Sequence, residues 1–163
     1  MNNLGRAWEA QLQVWHKAYK TNNQAYVIHA PPPVKVLSVV KPDGSFQARW
    51  WKKGPCDFIG VVAGGRAVVF DAKHCASDRW PFKSLEVHQA RALHAATQSG
   101  AFAFVALRMG REALVLPWTA FATGYSDWAN GKSQHGAASL TLQELRAIAT
   151  PMDSSGWLHA VPQ

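Results

Sequence analysis

The sequence predicts an α/β domain, a mixed β-sheet flanked by helices, on three observations. An opening segment carries apolar residues at helical spacing. Two pairs of β-rich runs are each closed by a glycine-containing turn. A second helical segment then leads into a near-continuous apolar run, as expected of a strand buried on both faces. With 163 residues, 48% of them hydrophobic, the chain has material for one compact core, so residues 1–163 are read as a single domain.

The elements follow in order. Leu4, Trp8, Leu12, Trp15 and Tyr19 recur at helical intervals and predict an amphipathic helix with Glu9 beside its apolar stripe. Tyr26 to His29 reads as a short strand before Pro31, Pro32 and Pro33 hold the chain extended. Val34 to Val40 and Ser45 to Trp51 form a predicted hairpin around Pro42, Asp43 and Gly44. Asp57 to Ala63 and Arg66 to Lys73 form a second, turning at Gly64 and Gly65, which tolerate positive φ. Ser84 to Gln98 is predicted helical, with Ser84 as its cap and Gly100 after its end. Ala101 to Leu107 and Ala113 to Leu116 are expected strands. Trp118 to Ala129 and Thr141 to Ala149 are expected to be mostly helical, with Gly131 to Ala138 as loop.

Seventeen Lys and Arg against ten Asp and Glu give a formal charge of +7, a surface suited to a polyanion. No apolar run approaches a membrane span, and the N-terminus lacks a secretory h-region, so a cytoplasmic protein is expected, in the host cytoplasm if virus-encoded. Cys56 and Cys75 are too few and too badly spaced for a disulfide framework or zinc site, and are read as reduced. Eight tryptophans can serve a core, a subunit interface or base stacking.

The chemistry concentrates in the second hairpin. Asp71 and Lys73 are two apart on one strand and share a face, and Asp57 begins the partner strand at the same open end. Two carboxylates beside a main-chain carbonyl suit a hard cation such as Mg²⁺, with Mn²⁺ expected to substitute. The lysine adds a positive group that can orient water or neutralise a transition state. Hydrolysis of a phosphodiester follows as the expected reaction. An acid-x-Lys triplet alone is equally a strand-end ion pair; the hairpin, the following helix with polar Gln89 and the basic chain supply the context of a nuclease.

In that order the residues resemble the PD-(D/E)xK nuclease core, and more closely the RecU-like Holliday junction resolvases. The likeness rests on Gly5, Arg6 and Glu9, the run Pro31 to Pro33, Asp57-Phe58-Ile59-Gly60, Phe70-Asp71-Ala72-Lys73, His88-Gln89, Gly100-Ala101-Phe102, Leu116-Pro117 and Gly131-Lys132-Ser133. The resemblance implies a restriction-endonuclease-like sheet, with Asp57, Asp71 and Gln89 binding the metal, Lys73 stabilising the transition state and Glu9 supporting the site. Two departures stand out. The family usually has Glu where this chain has Asp71, and Ser-Thr where it has Gly54-Pro55. His88 is read as a packed neighbour.

The resemblance also implies that residues 31–55 project as a basic, stalk-like hairpin. Lys35, Arg49, Lys52 and Lys53 interleave with tryptophans there, which fits phosphate contact and base stacking; the alternative is an ordinary hairpin with a solvated face. Lys35, Arg49, Trp51, Lys52 and Lys53, with Lys132 elsewhere, are the expected DNA contacts. The resemblance implies four-way junctions as substrate and resolution by paired nicks. Paired nicks call for a two-fold homodimer. The other readings are a less selective nuclease of repair or restriction type and a non-catalytic binder of branched DNA.

Overall fold

A computed structural model describes residues 3–132 and 138–162. Its order is α1 (Asn3–Thr21), β1 (Ala25–His29), β2 (Val34–Val36), β3 (Ala48–Trp50), β4 (Phe58–Val62), β5 (Ala67–Cys75), β6 (Arg79–Pro81), α2 (Val87–Gln98), β7 (Phe102–Met109), β8 (Glu112–Pro117), α3 (Trp118–Ala129), β9 (Ser139–Thr141), α4 (Leu142–Ile148) and β10 (Thr150–Pro151). The main sheet runs β1-β4-β5-β7-β8-β10, with β5 and β7 parallel and the other pairs antiparallel. The expected mixed sheet with flanking helices is the observed one.

The β4–β5 turn has Gly64 and Gly65 at φ +89°, a left-handed conformation that a Cβ would strain. α2 then provides the crossover that a parallel β5–β7 pair requires. Side chains of the sheet alternate between two cores. Phe58, Phe70, Phe104 and Ala106 meet Trp8, Leu12 and Tyr19 of α1 together with Trp157; Val105, Leu107 and Leu116 meet Leu93, Trp118 and Phe121 on the opposite face. Phe58, Phe70 and Phe104 stack across three adjacent strands, with centroids 5.0 and 4.4 Å apart.

Several details differ from the expectations. The inward stripe of α1 is Trp8, Leu12, His16 and Tyr19, whereas Leu4 is exposed and Trp15 half-buried. His16 is tolerated inside because its Nε2 accepts the indole N–H of Trp157 at 3.2 Å. Ser84 does not cap α2. It closes a single 3₁₀ turn and donates to the Pro81 carbonyl at 2.7 Å, while Glu86 holds the cap position, its backbone N–H donating to the Gln89 side chain at 2.9 Å. β2 and β3 are three residues each, shorter than expected, and form a separate two-stranded sheet. Most of the loop expected over 131–138 falls at 133–137, outside the described residues; Ser133 of the family-like Gly-Lys-Ser stretch lies there too.

Candidate active site

Strand β5 places the central residues. Its register with β4 pairs Phe58 with Phe70, so Asp57, one residue earlier, lies beside Asp71, one residue later. The backbone N–H of Ala72 donates to Asp57 Oδ2 at 2.9 Å, which fixes the half-buried Asp57 carboxylate against β5. Asp71 and Lys73 share the face toward α2, as their spacing predicts. The Asp71 side chain is fully buried, and Lys73 Nζ lies 2.6 Å from its Oδ2.

Gln89 comes to this pair from the first turn of α2. Its Nε2 donates to Asp71 Oδ1 at 2.7 Å, and its Oε1 accepts both Lys73 Nζ at 3.1 Å and the backbone N–H of Glu86 at 2.9 Å. The carboxamide therefore bridges the acid and the lysine, which a non-titrating side chain does at any pH. Its oxygen is already engaged by two donors; in this arrangement Gln89 orients its neighbours.

Electrostatics set this centre apart. Burial pushes the Asp71 carboxyl up to about 7; Lys73 opposes the rise and Asp57 adds to it. Glu9 is half-buried, and burial followed by the Asp57 charge raises its carboxyl above the ordinary value, with His29, Lys73 and Arg6 opposing. Two crowded carboxylates, that of Asp71 fully buried with the Lys73 ammonium against its Oδ2 and the Asp57 charge raising its pKa further, form a donor set that a divalent cation would relieve. Among the described residues no three His, Cys, Asp or Glu side chains gather as a metal cage. Such an ion would find the two aspartates with the Gln89 carboxamide beside Asp71, and water or substrate oxygen to complete its shell, which is the habit of Mg²⁺.

A cleft of about 440 Å³ opens over this point. Glu9, Asp57 and Gln89 lie on its wall with Trp50, Lys52 and Lys53 from the end of the β2–β3 hairpin. The other expected DNA contacts are spread more widely. Lys35 and Arg49 pair in register and share one exposed face of the hairpin, and Val34, Val36, Ala48 and Trp50 share the other. Trp51 is exposed, with Lys52 Nζ 5.3 Å from its ring centre. Lys132 follows α3 and does not line the cleft.

His29, Cys56, Glu86 and His88 also line the cleft and carry no expected role from sequence. For Glu86 a signal existed, since an acid three residues before Gln89 has capping-box spacing. Nothing in the pattern marks His29 or Cys56. Both cysteines are free and buried; burial, with Asp71 and Asp57 nearby, pushes the Cys56 thiol up to about 12, leaving it unreactive.

A mixed sheet with two acids and a lysine meeting at the open end of a hairpin, under a helix that returns a glutamine, is the build of the PD-(D/E)xK class. The chain belongs to the RecU family: the family model described as Recombination protein U matches residues 3–156. Among solved structures it is similar to Hjc from Archaeoglobus fulgidus, described as a Holliday junction resolvase from an archaeal hyperthermophile. That likeness has a TM-score of 0.51 at 17% identity and covers 88% of this chain and 93% of the other. At that identity it speaks to the fold. No curated protein sequence matches the chain.

Proposed function

We propose that the protein is a divalent-metal-dependent endonuclease that resolves four-way DNA junctions. The observation that carries this reading is the convergence of Asp57, Asp71, Lys73 and Gln89 beneath a cleft that shares its wall with Lys52 and Lys53. Membership of the RecU family and the fold shared with an archaeal junction resolvase support it.

A cation held by Asp57 and Asp71, Mg²⁺ in preference and Mn²⁺ as a substitute, would acidify a bound water and polarise the scissile phosphate. The protein's own groups do the rest. Lys73, tethered by Asp71 and Gln89, presents its ammonium group where charge develops on the phosphate oxygens. Glu9 lines the same cleft as Asp57, close enough for the two charges to interact, and supports the metal-holding pair.

The paired Lys35 and Arg49 are like charges directly opposite each other, an arrangement unfavourable in the free protein and relieved by a polyanion. That supports the hairpin as a DNA-contact element, with Arg49, Lys52 and Lys53 as principal contacts, Lys35 and Trp51 beside them, and Lys132 as an outlying one. Paired cuts across one branch point require two centres, hence a homodimer.

A synthetic four-way junction, incubated with Mg²⁺ and mapped on all strands, tests the reading. Symmetric nicks with ligatable ends are expected, and Asp57→Asn, Asp71→Asn and Lys73→Ala should each nearly abolish them while retaining junction binding. Equal cutting of junction and linear duplex points to a less selective nuclease, and no cutting with or without chelator points to a binder. A cruciform plasmid tests the dimer. Coupled nicking gives linear product, whereas isolated nicks relax the cruciform and leave nicked circles.

A further inference from the structure

The cleft wall contains an acid where a polyanion must pass. Glu86 is one of only ten acidic residues in a chain of charge +7, and it shares the wall with Lys52, Lys53 and His88. Its carboxylate pairs with Lys53 Nζ, from a segment 33 residues away, and lies 3.5 Å from His88 Nδ1. Capping does not explain the choice of glutamate, because Ser, Thr, Asp and Asn are the residues preferred at a helix N-cap. The longer side chain is what reaches Lys53.

We propose that Glu86 is a latch: in the free protein its carboxylate occupies the place on Lys53 that a DNA backbone phosphate takes in the complex. The inference rests on the DNA-cutting function proposed above and adds a contact that DNA must displace. Both partners are exposed, 67% for the Lys53 side chain and 49% for Glu86, so the pair is weak, screened by salt and readily exchanged. The exchange does not require the catalytic centre to move. Gln89 Oε1 is held by the backbone N–H of Glu86 as well as by Lys73, and that backbone contact is independent of where the Glu86 carboxylate points.

The latch also limits wasteful association. A single stray phosphate gains little by replacing a carboxylate on Lys53, whereas a strand that also meets Lys52 and Arg49 gains those contacts together. Glu86 is therefore a positioning residue, acting on DNA only through Lys53.

A double-mutant cycle on DNA affinity tests this. Wild type, Glu86→Gln, Lys53→Ala and the double variant are titrated, in chelator, with a four-way junction and with a linear duplex of the same arms. Glu86→Gln should tighten binding about three- to fivefold. It should also steepen the fall of affinity with salt, since binding would no longer free a carboxylate that recruits its own cation. In the Lys53→Ala background the same substitution should change neither. Equal tightening in both backgrounds overturns the latch in favour of general charge repulsion, and no tightening in either overturns it outright. Glu86→Ser, which places a preferred capping residue there, repeats the cycle and guards against a folding defect in one variant. Equal affinity for junction and duplex would count against junction resolution, whereas coupling between positions 53 and 86 judges the latch alone.

Discussion

His16 gives the fold a built-in sensitivity to acid. The ring is 6% exposed and lies against Phe58, Phe70, Tyr19 and Trp157, and burial lowers its pKa from 6.5 to about 4. The Trp157 N–H donates to Nε2, so a proton there would face a donor. Because the folded-state pKa lies below the unfolded one, the unfolded chain binds more protons between about pH 6.5 and 4, and stability falls as pH drops through that window. At about 1.4 kcal/mol per pH unit, the full loss is about 3 kcal/mol, of which about 2 kcal/mol is gone by about pH 5. Glu9 and Asp71 act oppositely, since their raised pKa values make the folded state the better proton binder. Comparison with His16→Gln isolates the histidine, because glutamine can accept the indole N–H and does not titrate. Urea unfolding of both proteins between pH 7.5 and 5 should show wild type losing about 2 kcal/mol more than the variant. Parallel curves would refute the assignment of a buried, neutral His16.

Gly60→Ala should destabilise by about 1–3 kcal/mol in thermal or urea unfolding, because its Cβ would sit 2.5 Å from the Tyr26 carbonyl oxygen and 2.9 Å from Val27 Cα, both backbone. Phe70→Ala removes the middle ring of the stack behind Asp71 and should lower stability by about 3–5 kcal/mol on the same assays. Lys73→Met leaves the Asp71 carboxylate without its cation, so its folded-state pKa rises further. In chelator, the melting temperature of this variant should then fall more than that of wild type as pH is raised from 6 to 9, since a raised acid stabilises only while it holds its proton. Neutralising Arg49, Lys52 and Lys53 together should weaken junction binding and flatten its salt dependence, read by titration at several salt concentrations.

The parts of the site that sequence makes legible depend on local geometry. Gly64-Gly65 defines the β4–β5 turn, the turn sets the register, and the register brings Asp57 alongside Asp71 and Lys73. α1, α2 and β7 follow from periodicity in the same way. What is not legible depends on distant partners. His16 replaces Trp15 in the inward stripe because Trp157, 141 residues away, supplies a donor that no local pattern announces. The β6–β9 pair joins Trp80 to Leu140 across most of the C-terminal half, and its short strands have no alternation to read. Ser84 is the better cap by residue preference, but its hydroxyl is used by Pro81 and the helix begins later. Gln89 is identifiable as a site residue by resemblance alone; its bridge between Asp71 and Lys73 emerges only when α2 folds back over β5.

That fold-back has a consequence for the life of the chain before it is complete. Glu9, Asp57, the Asp71 and Lys73 pair, and Gln89 come from four separated stretches, and β5 is not secured on its second edge until β7, beyond α2, pairs with it. A ribosome that has released only the first two hairpins has made Glu9, Asp57 and Asp71 but no rigid place to hold them. The four stretches are therefore held together only after the crossover closes, and a chain that ends before β7 has the acids and the lysine without the paired β5 that aligns them.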